Sequence, residues 1–117
     1  MSGNGNRSSK DRLAILYGYR CLLTNVKTKK LTFHHLSKKE WGGPASVENG
    51  ANLTKEAHEW IHYVETQDFE TFMDLNDCLA LYKKCIDMGM TELIQDYETE
   101  IIPKVRERIK RQHYGKR

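Results

Sequence analysis

Four of the five histidines, His34, His35, His58 and His62, fall within one 29-residue stretch. Imidazole suits two tasks, binding a transition metal through a neutral ring nitrogen and moving a proton near pH 7, because its unperturbed pKa is about 6.5. His58 and His62 are four residues apart, so on a helix both rings leave the same face one turn apart, as two ligands of one ion require. His34 and His35 are adjacent, and on a strand adjacent side chains point to opposite faces. One of them can join the helical pair while the other faces a separate space. A three-imidazole site of His34, His58 and His62, with positions left open to water or substrate, follows if the strand end packs on the helix. His35 is then free to act as a general base. A structural metal site without catalysis uses the same residues, and the spacing alone leaves both readings open.

The elements that must position these rings can be read from the flanking pattern. Asp11 precedes a short apolar patch (Leu13, Ile15, Leu16, Tyr17) that predicts a short helix stopped by Gly18. Cys21-Leu22-Leu23 and Leu31-Thr32-Phe33, on either side of a turn signal at Thr24-Asn25, suggest a β-hairpin ending at the histidine pair. Residues 37–51 hold Gly42, Gly43, Pro44, Asn49 and Gly50 and read as an ordered loop. From Asn52 the pattern becomes helical. Thr54 is a candidate N-cap, Glu56 lies in the first turn, and Ala57, Trp60, Ile61 and Val64 recur at helical spacing. Two further helices follow. One runs from Phe69 to a stop near Gly89, and the other, with Thr91 as candidate cap, carries Leu93 to Ile102 before Pro103 kinks or restarts it. Lys104 to Arg117 reads as a fraying basic tail.

A chain of 117 residues accommodates one domain with a modest core. Its formal charge of +3 is unremarkable, but the charge is unevenly placed. Residues 1–30 hold seven Lys/Arg against Asp11 alone, and residues 103–117 hold seven against Glu107 alone. Residues 66–102 hold nine acidic residues against Lys83 and Lys84. The basic ends can contact phosphates and the acidic stretch would repel them, although solvated helix faces give the same pattern. Cys21, Cys78 and Cys85 are odd in number and form no CxxC pair, which argues against a disulfide framework or thiolate zinc site and for a reducing, cytoplasmic compartment. No apolar run reaches membrane-spanning length, and the N-terminus lacks a signal-peptide core.

From Tyr19 to Val64 the chain resembles the HNH, or ββα-metal, nuclease family. The resemblance is carried by Tyr19-Arg20-Cys21, Phe33-His34-His35, Gly42-Gly43, Glu48-Asn49, Leu53 and Ala57-His58-Glu59-Trp60-Ile61-His62. Members show Asp-His or His-His, then an Asn, then a His nine residues on. Asn49 precedes His58 by nine, and His62 follows at the spacing of the bacterial colicin DNases. The resemblance implies an α+β fold: a small ββα-metal nuclease core (β-hairpin plus helix) over residues 11–66, with a short N-terminal helix and two C-terminal helices over residues 67–112. A disordered tail at residues 1–10 and a basic tail at residues 113–117 complete the layout.

It further implies His34, His58 and His62 as metal ligands and His35 as the base that activates water. Asn49 becomes the residue that orients the loop and the base, with Asn52 a competing candidate at a poorer offset. The implied activity is hydrolysis of DNA phosphodiesters with one divalent ion, which three imidazoles favour as Zn, Ni or Mn over Mg. An RNase, or a non-catalytic module binding nucleic acid or protein on the same fold, are the alternatives. Lys38, Lys39 and Arg20 are candidates for nucleic-acid contact, although the lysines also read as a solvated loop pair. Trp60 and Ile61 read as core, while Trp41 either packs under the site or touches nucleic acid. The second, cysteine-built knuckle of many members maps here to Cys21, Thr24, Thr54 and Ala57, so no structural zinc is expected and packing from the C-terminal helices takes its place. The apolar residues between Phe69 and Ile102 either cover the nuclease motif or form a homodimer or partner surface.

Overall fold

A computed structural model describes the backbone of residues 8–115 and the side chains of residues 8–112. Over the described residues the chain is a small α+β protein with two antiparallel strands and four helices. In order these are α1 (Ser9–Tyr17), β1 (Thr32–His35), β2 (Gly50–Leu53), α2 (Lys55–Gln67), α3 (Phe69–Met88) and a long last helix. The last helix begins as α4 (Thr91–Asp96), passes through a π-helical segment (Tyr97–Ile101) and continues as α5 (Ile102–Gly115).

The expected disorder does not extend over Ser8, Ser9 and Lys10. Residues 1–7 lie outside the described residues, but Ser8 caps α1 by accepting from Asp11 N, and Ser9 and Lys10 form its first turn. Gly18 ends it with φ at 91°, a conformation that costs glycine little.

The hairpin is not the expected one. β1 pairs with β2, placing Thr32 opposite Leu53, His34 opposite Ala51 and His35 opposite Gly50. Residues 20–27 instead fold back on themselves as a tight turn, closed by an Arg20–Lys27 bridge and by Cys21 N donating to Val26 O. Leu22 N then donates to Asn52 O, which docks this turn on β2. The sequence of β2, Gly-Ala-Asn-Leu, has little strand propensity. Burial of all four residues and the ladder to β1 override that preference. Gly50 is required there, because an added Cβ would lie 2.3 Å from the Phe33 ring and 3.0 Å from Leu13. A Gly50→Ala variant is therefore expected to lose about 1–3 kcal/mol of stability through overpacking. Thermal unfolding checks this, and an unchanged midpoint would contradict the tight packing.

α2 forms as its sequence predicts. Thr54 caps it by accepting from Ala57 N at 3.3 Å. Its core stripe of Ala57, Trp60, Ile61 and Val64 is buried, so Trp60 and Ile61 are core residues. Each fully buried large side chain contributes roughly 1.5–3 kcal/mol. α3, capped by Asp68 and closed by left-handed Gly89, adds Phe72, Leu79 and Tyr82 to the same core.

The expected fraying tail is instead helix from Lys104 to Gly115, and residues 116–117 lie outside the described residues. Pro103 lacks the N–H that would bond the preceding turn, and the π-helical segment sits just before it, with Ile102 N donating to Tyr97 O. That widened turn places Tyr97 inward. Its ring stacks on Tyr82 at 3.9 Å and its hydroxyl donates to Leu22 O at 2.8 Å. Beyond it, Ile102, Val105 and Ile109 are buried, and Arg106 reaches Thr24 O at 3.5 Å. The C-terminal helix thus packs on the 20–27 turn, where Thr54 Oγ1 also lies 3.7 Å from Cys21 Sγ. Thr91 does not cap its helix through its side chain; Met90 occupies the cap position. Among the described residues, no helix is long and apolar enough to cross a membrane.

Candidate metal centre

The alternation of β1 divides its side chains into two sets. Thr32 and His34 face α2, whereas Phe33 and His35 face the other way. On α2, His58 and His62 present their rings to His34. Ring centroids stand 5.2 Å apart for His34–His58, 5.4 Å for His34–His62 and 5.0 Å for His58–His62. One nitrogen from each lies within 4.8 Å of the others, a span from which three imidazoles can close on one ion. His34 is buried at the base, His58 is half-buried and His62 is exposed, so the cluster opens to solvent on one side.

The remaining ring nitrogens are all held. His34 Nε2 donates to Asn76 Oδ1 on α3 at 2.7 Å. Its Nδ1 is buried without a hydrogen-bond partner, an orphan that a metal ion would satisfy. Thr32 Oγ1 donates its one proton to Leu53 O, so it accepts from His58 Nδ1–H at 2.8 Å. His62 Nδ1 lies 2.9 Å from Glu65 Oε1, whose other oxygen is bonded to Lys38. Each imidazole thus has one nitrogen fixed by an acceptor and the other spare, as the ligating histidines of metal proteins do. The residues present fit a divalent ion bound by neutral imidazoles.

The electrostatics agree. Burial pushes His34 down to about 4, and the neighbouring His58 and His62 act in the same direction. Burial also lowers His58. Both rings therefore remain neutral, with a lone pair to offer. Burial alone would raise Glu65, but hydrogen bonds from Lys38 and His62 outweigh it and keep the carboxylate ionised. The His34 shift has a consequence for stability. In the unfolded chain this ring takes a proton near pH 6.5, and in the folded protein only near 4. The metal-free protein is therefore expected to lose about 3 kcal/mol as pH falls from 6.5 towards 4, and to keep that contribution above 6.5. Urea midpoints in chelator at pH 7 and pH 4.5 check the sign; equal midpoints would contradict it.

His35 extends from the opposite face of β1, its ring edge-on to Phe33 at 4.9 Å. The loop after it is tied by Asn49. Asn49 Oδ1 accepts from Ser37 N at 2.8 Å, and Nδ2 donates to the carbonyls of Ser37 and Pro44. Asn52, the competing candidate, is buried elsewhere and donates to Lys10 O. Two further groups were not signalled by the histidine pattern. Asn76 orients His34, and buried Lys83 of α3 holds the carbonyls of Val47 at 2.7 Å and Gly50 at 2.5 Å, anchoring the loop on both sides of Asn49.

Two of the three cations proposed for nucleic acid are otherwise engaged. Arg20 donates to Tyr17 O at 2.9 Å, to Tyr82 Oη at 2.7 Å and to Asn25. That ties α1 and the 20–27 turn to α3, so Arg20 is a structural residue. The Lys38 ammonium bonds Glu65, lies 3.3 Å from Glu40 and sits 5.1 Å over the Trp41 ring. Its role is to hold Glu65, and thereby His62. Lys39 is exposed. Trp41 is 53% exposed and packs edge-on to Phe69.

No protein-family model, curated protein or solved structure matches the chain.

Proposed function

We propose that the chain is a metal-dependent endonuclease of the HNH, or ββα-metal, type, hydrolysing DNA phosphodiester bonds. The observation that carries this reading is the division of four histidines across one strand: three converge with one nitrogen each to spare, and the fourth stands on the opposite face. His34, His58 and His62 would hold a divalent ion, and His35 would take the proton from an attacking water. The ion would supply positive charge against the phosphate and the departing oxygen. Because the base belongs to neither the ligand set nor its hydrogen-bond partners, it keeps a lone pair for the proton. Asn49 and Lys83 hold the loop that follows His35, and so limit the directions its ring can take.

A second reading is a metal-containing module that binds a protein partner. It is favoured by the exposed acidic residues of α3 and α4, among them Asp74, Asp77, Glu92 and Asp96. Incubation with supercoiled plasmid and with RNA, in manganese, nickel or magnesium and with a chelator control, separates the readings. The nuclease reading expects metal-dependent relaxation or linearisation of the plasmid. Intact plasmid under every metal would overturn it, and cleavage of RNA alone would replace DNA as substrate.

A further inference from the structure

A groove of about 320 Å³ runs between the C-terminal half of α2, the start of α3 and the C-terminal half of α5. Trp60 and Val64 form its floor, and Tyr63, Gln67, Arg108, Arg111 and Gln112 stand around it. On α2, His62 and Tyr63 are consecutive, about 100° apart around the helix axis. The groove therefore begins on the flank of the helix next to the histidine face.

Two features give the groove a defined ligand chemistry. The first is charge. Lys104, Arg108 and Arg111 follow one another at i, i+4 and i+7, and so form one basic stripe of α5 beside α2. Arg111 meets Glu107 only at 3.4 Å on an exposed face, a pair worth little in water. Asp68 also lines the groove; Thr71 Oγ1 at 2.6 Å and Thr71 N at 3.1 Å, with Arg108 nearby, keep its carboxylate ionised, so the groove sets two arginines against one carboxylate. The second feature is Tyr63, 39% exposed at the rim, with Gln67 and Gln112 also lining the groove. A second apolar groove, lined by Leu81, Tyr82 and Leu93, has Asp96 and Glu100 at its edge and no cation among its lining residues, so it would repel a phosphate.

An exposed aromatic ring beside paired arginines is the combination that binds unstacked bases and their phosphates. A ring exposed in this way can stack only on a base that is itself unpaired and unstacked, which favours a single strand over a duplex. We infer that the groove between α2 and α5 binds a single-stranded DNA segment flanking the scissile bond, with Arg108 and Arg111 on phosphates and Tyr63 stacked on a base. The choice of DNA rests on the nuclease reading of the histidine cluster, whereas the binding chemistry of the groove does not. The substrate it selects is DNA with a single-stranded flank, such as a branch, an overhang or the bubble that negative supercoiling opens in a plasmid.

The test is fluorescence anisotropy of a labelled single-stranded DNA oligonucleotide with the full chain in chelator, where hydrolysis plays no part. Removing both cations in R108Q/R111Q is expected to weaken binding at least tenfold and to make the slope of log affinity against log salt shallower by about 1.4, the value for two phosphates on a single strand. Tyr63→Ala is expected to weaken it roughly five- to a hundredfold, and Tyr63→Phe to restore it. Circular dichroism of each variant confirms that the exposed substitutions leave the fold intact. Unchanged oligonucleotide affinity in R108Q/R111Q and in Tyr63→Ala would overturn the inference, as would an equal loss for duplex DNA or tighter binding of the same sequence as RNA. A protein that binds through the groove but cleaves no plasmid supports the groove and removes the nuclease reading. One that cleaves plasmid and binds independently of the groove does the reverse.

Discussion

Replacing His35 with alanine is expected to lower DNA cleavage by about 10²–10⁴-fold, the usual contribution of a general base, while metal content stays at the wild-type level. The separation of effects follows from β1. His35 leaves the strand on the face opposite His34, where its one aromatic contact among the described residues is the Phe33 edge. Its removal leaves the three converging rings and their hydrogen-bond partners in place. Single-turnover cleavage with elemental analysis of the same preparation reads both quantities. Cleavage near the wild-type rate would remove His35 as the base, and loss of the metal would place it in the ligand set.

The second large effect is expected for His58→Ala, which should abolish stoichiometric metal binding. His58 is one corner of a nearly equilateral set of rings, with centroids 5.2 Å from His34 and 5.0 Å from His62. Two imidazoles alone would leave an ion mostly to solvent. Removing a hydrogen-bond partner of a ligand is expected to cost less: Asn76→Leu, which deletes the acceptor of His34 Nε2, should weaken binding by about 10–100-fold. Competition with a chromophoric chelator ranks the two variants. Wild-type affinity in His58→Ala would refute its place in the site, and equal losses in both would indicate that Asn76 acts through the fold.

The parts of this arrangement that the sequence showed are local ones. His58 and His62 share a helix face because of their spacing, and Thr54 caps that helix because a hydroxyl three residues before Ala57 can reach its amide. The opposite facing of His34 and His35 likewise needs only a strand. What the sequence obscured was non-local. β2 lies at the end of a Gly- and Asn-rich segment that reads as loop, and its pairing with β1 depends on contacts 15 to 21 residues away. The apolar Cys21–Leu23 run looked like the better strand, yet it is buried as a turn beneath Tyr97 and α5. Arg20 looked like a phosphate ligand because nothing in its neighbourhood showed that Tyr82, 62 residues on, would accept from it. Asn76 and Lys83 did leave a trace. They fall on the core-facing stripe of α3 with Phe72, Leu79 and Tyr82, where a polar residue must have a partner.

The packing also shows how a chain this small holds its site. His34 is oriented from α3, His58 through Thr32 by the β2 carbonyl of Leu53, and His62 by Glu65 with Lys38 from the loop. Three different parts of the fold thus each fix one of the three imidazoles. The C-terminal helix then secures the 20–27 turn through Tyr97 and Arg106, at the positions where the HNH resemblance would have placed a cysteine knuckle.

The most direct test of the account is activity against metal stoichiometry. Metal-free protein is titrated with manganese or nickel, and supercoiled plasmid cleavage is measured at each ratio. Activity is expected to rise with added metal to a plateau at one equivalent per chain, and His58→Ala to show no such rise. Plasmid that stays intact at every ratio, or cleavage that persists in chelator, would contradict it.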